Sequence, residues 1–106
     1  MSIQIPGPIQ RMVAATNSAD TAAFLDCFSP DAFLSDWGRS FRGREEIAAW
    51  NKTDNIGVQS HLQIVRAEKV GETYSVTMAV KGNGFNGEGI MKIVLNGDWI
   101  AELTIS

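Results

Sequence analysis

From Gln59 to Ser106, apolar residues recur at every second position: Leu62 and Ile64; Tyr74, Val76, Met78 and Val80; Ile93 and Leu95; Trp99, Ala101, Leu103 and Ile105. A period of two is the mark of strands with one buried face, so this half of the chain reads as four strands. Turn residues separate them at Gly71-Glu72, at Gly82-Asn83-Gly84 and at Asn96-Gly97-Asp98, where Asn-Gly is a strong hairpin signal. Such short connections oblige consecutive strands to pair antiparallel, because a parallel pair needs a long crossover. The glycines at 82, 84, 87 and 89 are too dense for a flat central strand, and predict a bulged or bent segment where the sheet curls.

The first half has a helical period. Pro8 suits the first turn of a helix whose apolar face is Ile9, Met12 and Val13, ending near Thr16. Asn17 and Ser18 offer capping side chains, and Asp20 a favourable charge, to a second helix carrying Phe24, Cys27 and Phe28 and ended by Pro30. Ala32 to Asp36, bounded by Gly38, reads as a short strand with Leu34 and Asp36 on one face. Arg44 to Trp50, acidic in its first turn and with Ile47 and Trp50 one turn apart, is a third helix closed by Lys52-Thr53-Asp54-Asn55. The expected fold is α+β: a cone-shaped, curled antiparallel sheet packed on three N-terminal helices.

Bulk properties narrow the function classes. A chain of 106 residues, 44% apolar and 20% charged, suits one domain over 1–106. A formal charge of -3 leaves no basic surplus to neutralise phosphates, so no nucleic-acid partner is expected. The single Cys27 excludes an internal disulfide and fits a reducing, cytoplasmic compartment. The start MSIQIPGPIQ lacks a signal-peptide pattern, and no apolar run is long enough to span a membrane, so no membrane partner is expected. With one histidine, one cysteine and no carboxylates at ligand spacing, no metal is expected; neither glycine cluster precedes a helix, so no nucleotide or other cofactor is expected.

Three segments carry a family resemblance: Gln10-Arg11-Met12-Val13-Ala14-Ala15-Thr16-Asn17-Ser18-Ala19-Asp20; Phe28-Ser29-Pro30-Asp31-Ala32; and Asp36-Trp37-Gly38-Arg39 with Arg42-Gly43-Arg44-Glu45-Glu46-Ile47. With the element order, they make the chain similar to the nuclear-transport-factor-2-like superfamily, which includes ketosteroid isomerases and SnoaL-like polyketide cyclases. The resemblance implies a cone around an apolar cavity that takes a small hydrophobic molecule, and a homodimer through the open sheet face. It also aligns Asp36 with the general base of the isomerases, able to take a proton from a carbon acid beside a carbonyl; ketosteroid isomerase is a standard example of that chemistry. The alternative reading of Asp36 is structural, as an acceptor for the Trp37-Gly38 turn or a partner of a nearby arginine.

The positions matching the isomerase's two oxyanion donors hold Met12 and Met91, which cannot donate a proton and would instead soften the cavity wall. His61 is the candidate second catalytic group, although strand parity turns Leu62 and Ile64 away from it. Phe28, Trp37, Phe41, Trp50, Met78 and Phe85 are the remaining candidate ligand contacts, with plain core packing as the competing role. Arg39, Arg42 and Arg44 either hold an anionic ligand tail or form solvated surface. Two functions follow: a cofactor-free isomerase, lyase or cyclase acting on a small apolar carbonyl compound, or a non-catalytic module for hydrophobic-ligand binding or dimerisation.

Overall fold

The structure is a computed structural model that describes residues 3–106. The elements run α1 (Gly7–Asn17), α2 (Thr21–Asp26), β1 (Phe28–Asp36), β2 (Arg39–Arg42), α3 (Gly43–Asp54), a 3-10 turn (Ile56–Val58), β3 (His61–Val70), β4 (Thr73–Lys81), β5 (Gly87–Asn96) and β6 (Trp99–Ile105). The strands form one curled sheet in the order β2-β1-β6-β5-β4-β3, with the helices packed on it. The four late strands and their antiparallel pairing are as the alternation predicts.

Three local expectations are corrected. The second helix stops at Asp26, and Phe28 already belongs to β1. Pro30 disfavours helix at the residue before it, so Phe28 and Ser29 go extended and the anticipated short strand is nine residues long. Its hairpin return, β2, has no apolar alternation to announce it. The connecting pair Trp37 and Gly38 has φ of 50° and 88°, the geometry of a tight two-residue hairpin turn in which tryptophan is an unexpected occupant.

The sheet is not wholly antiparallel, since β1 pairs with β6 in parallel. The chain between them spans α3 and four strands, more than long enough for that crossover. The register breaks lie between Phe28 and Phe33, Ile64 and Arg66, and Val94 and Leu95, not at the glycine cluster. Gly82 instead sits in the β4–β5 connection, where a Cβ would lie 2.9 Å from the Gln59 carbonyl oxygen. That close approach presses the connection against the turn before β3.

The core is continuous between helices and sheet. Phe24, Phe28, Leu34, Ile47, Val76, Ile93 and Leu103 are sealed from solvent. Asp20, not Asn17 or Ser18, caps α2 by accepting from the Ala23 amide at 3.0 Å. Asn17 instead ties α1 to the sheet, since its side chain donates to the Leu62 carbonyl at 2.9 Å and accepts from the Leu62 amide at 2.7 Å. The side chain thus mimics one rung of a ladder at the edge strand β3. Asn17→Ala is expected to lower unfolding free energy by about 1–2 kcal/mol, read by urea denaturation, because two part-buried backbone groups lose their partner.

Cys27 is buried at the end of α2, with its thiol 3.3 Å from the Ala23 carbonyl. Burial pushes the thiol pKa up, opposed by Arg11 and assisted by Asp26. A raised pKa keeps the nucleophilic thiolate scarce. Iodoacetamide should therefore alkylate Cys27 more slowly in the native protein than in urea; equal rates would contradict its burial.

Candidate functional site

Asp36 ends β1 on the same side of the strand as the sealed Leu34. Its carboxylate faces the last turns of α3, and one oxygen does all the bonding. Oδ2 accepts from the Trp50 indole Nε1 at 3.0 Å and from Arg39 Nη2 at 2.8 Å. Oδ1 accepts nothing among the described residues. No fully buried side-chain oxygen or nitrogen there lacks a partner, so Oδ1 must keep some access to solvent.

Arg39, the first residue of β2, also donates to Asp54 near the end of α3. The Asp54 hydrogen bond first, and that of Asp36 after it, raise the arginine pKa above its ordinary value. The trio therefore carries a net charge of about -1 when all three are ionised. Arg39 is committed to two carboxylates, Arg44 donates twice to the Phe28 carbonyl at 2.9 and 2.7 Å, and Arg42 lies over the Phe33 ring. The three arginines thus serve the protein's own groups, which weakens the expectation of an anion-binding mouth.

Beyond Asp36 opens a cavity of about 310 Å³. That is the small end of the range typical of ligand sites, about 300–1,000 Å³. Its far wall is apolar, built by Leu62, Met78, Val80 and Met91 from β3, β4 and β5. Trp50 forms the floor beside Asp36 and stacks near Phe24 with ring centroids 6.3 Å apart. Trp37 and Phe85 reach the cavity from two different loops and remain 74% and 55% exposed, so both sit at its rim.

Of the sequence candidates, the cavity gathers Asp36, Trp37, Trp50, Met78, Phe85 and Met91. The others lie elsewhere. Met12 and Phe28 are sealed in the core under the helices. Phe41 is half-buried beneath the Arg39 guanidinium and off the cavity. His61 is exposed, because Leu62 claims the inward side of β3 and successive strand residues alternate.

The same parity points inward at Ser60, two residues before Leu62, which sequence reasoning passed over. It is only 7% exposed and lines the cavity. Asp54 and Asn55 also line it without a sequence signal, since nothing in the chain links position 54 to Arg39 fifteen residues earlier. Asn55 is held by a buried network, donating to Thr16 Oγ1 at 3.2 Å and to Asn51 Oδ1 at 2.9 Å. Among the described residues no cluster of His, Cys, Asp or Glu could hold a metal ion, and no helix is long and apolar enough to cross a membrane.

A family model for SnoaL-like domains matches residues 9–102, nearly the full length of the chain. The chain belongs to the SnoaL-like domain family. No curated protein sequence matches it. Its fold is similar to that of a candidate polyketide cyclase from Sinorhizobium meliloti, at 22% identity and a TM-score of 0.84, covering 96% of this chain and 95% of the other. It is also similar to a protein of ketosteroid-isomerase-like fold from Catenulispora acidiphila, in complex with trimethylamine (20% identity, TM-score 0.83, covering 97% and 86%). A third likeness is to an orange carotenoid protein from Anabaena that binds canthaxanthin (18% identity, TM-score 0.84, covering 99% of this chain and 37% of that one). At such identities the likenesses establish a SnoaL-like, α+β cone fold and leave chemistry to the residues.

Proposed function

We propose that the cavity binds a small, mostly apolar carbonyl compound and that Asp36 acts on it as a general base and acid, without a cofactor. Isomerisation, elimination and cyclisation next to a carbonyl all begin with this proton abstraction. One observation carries the reading: Trp50 and Arg39 hold Oδ2 of Asp36 and leave Oδ1 free beside an apolar cavity. Fixing one oxygen orients the carboxylate plane, so the other meets a substrate C–H in a defined direction. The test is deuterium exchange into the acetyl methyl of 4-ethylacetophenone in D₂O, followed by NMR with the wild type and with Asp36→Asn. Exchange accelerated by the wild type alone supports the proposal; equal rates with both overturn it.

The second reading is a binding module without chemistry. It is favoured by the thioethers of Met78 and Met91 in the cavity lining, neither of which can donate to an enolate oxygen. The canthaxanthin bound by the carotenoid protein supports apolar ligand binding as a use of this fold. Under this reading 4-ethylacetophenone binds but its methyl exchanges no faster than in buffer. A homodimer through the open sheet face accompanies either reading, with exposed Val65 and Ile90 as its apolar contacts.

A further inference from the structure

Ser60 is a nearly buried residue whose hydroxyl no other described side chain or backbone group engages. It lines the cavity, and its Oγ makes no hydrogen bond to any described residue; since no fully buried side-chain oxygen or nitrogen there lacks a partner, the hydroxyl stays open to the cavity's solvent and free to donate. The other cavity hydroxyl on the helical side, Thr53, is satisfied by the carbonyls of Ala49 and Trp50. The chain takes trouble to place Ser60. Gln59 before it is left-handed at φ 57°, its own amide bonds the Asn55 carbonyl at 3.1 Å, and Gly82 packs so closely that a Cβ there would lie 3.0 Å from the Ser60 Cα. These backbone constraints fix the hydroxyl at the cavity, so a ligand acceptor there meets a donor already in place.

Position gives the hydroxyl a meaning. Ser60 leads into β3 at one end of the strand order, whereas Asp36 belongs to β1 near the other, and the curl brings both to one cavity. Leu62, Met78, Val80 and Met91 form the apolar wall of that same cavity. We infer that Ser60 donates a hydrogen bond to the far end of the ligand, whose natural form therefore carries a second oxygen acceptor opposite the carbonyl group at Asp36. The inference rests on the proposed use of the cavity and narrows its ligand class to compact, two-ended oxygen compounds with an apolar middle.

Two probes of matched shape test it. 1,4-Diacetylbenzene has a carbonyl at each end, and 4-ethylacetophenone replaces one of them by a methylene. Calorimetric titration should show the wild type preferring 1,4-diacetylbenzene by about 2- to 12-fold, the worth of one neutral hydrogen bond. Ser60→Ala should erase that preference while leaving the affinity for 4-ethylacetophenone unchanged. Ser60→Cys, which keeps the side-chain size but is a poor donor, should do the same and secures the test if the alanine variant melts early. A wild type without preference, or a preference that survives in a folded variant, overturns the role of Ser60 and leaves the cavity reading standing. If the wild type binds neither probe, both fall together.

Discussion

Asp36→Asn is expected to lower protein-catalysed deuterium exchange in 4-ethylacetophenone by about 10²- to 10⁴-fold, the usual contribution of a positioned general base. In the proposed cycle, Oδ1 takes a proton from the acetyl methyl, the C–H electron pair moves into the enolate, and the carboxyl returns a deuteron acquired from solvent. The amide cannot accept that proton, so the cycle stops at its first step. Its carbonyl oxygen can still accept from the Trp50 indole, and Arg39 keeps Asp54 as a partner. Affinity for 4-ethylacetophenone should therefore change little, and the fall should appear in the rate at saturation, which is the signature of an interaction made only in the transition state. The absolute rate should be modest, because a missing oxyanion donor typically costs about 10²- to 10³-fold.

The contrast between Asp36 and His61 shows how far a sequence of this kind can be read. Strand alternation from Leu62 to Ile105 was enough to place four strands and their pairing, because burial on one face imposes the period directly. The same rule places His61 outside and Ser60 inside, once the inward position of Leu62 is accepted. The side that Asp36 faces was legible because Leu34 shares it, while its candidacy as a base came from the family resemblance. The Trp50 indole contact was not, since it joins residues fourteen apart through the packing of α3 on β1. Nor was β2, whose four residues, Arg39 to Arg42, pair by backbone bonds with almost no buried side chain to leave a pattern. Local periodicity records what is buried, and hydrogen bonds between distant segments leave no such record.

Aromatic residues divide by the same test, which gives the largest stability effect. Phe28→Ala should lower unfolding free energy by about 3–5 kcal/mol, the usual cost of removing a large ring from a core that cannot collapse around the void. Phe28 is fully sealed, and its ring centroid lies 5.1 Å from that of Phe24. Its carbonyl also receives both Arg44 hydrogen bonds, so movement of the backbone would loosen α3 from β1. Against a total of about 5–15 kcal/mol for a typical domain, that loss threatens the native state itself. Phe85, 55% exposed at the cavity rim, should behave oppositely: Phe85→Ala should stay within about 0.5 kcal/mol in stability while weakening 4-ethylacetophenone binding. Urea denaturation and calorimetry on the two variants separate the roles. A Phe28→Ala protein that kept its stability but lost the ligand would move Phe28 from the core to the cavity wall, and with it the floor on which Trp50 and Asp36 rest.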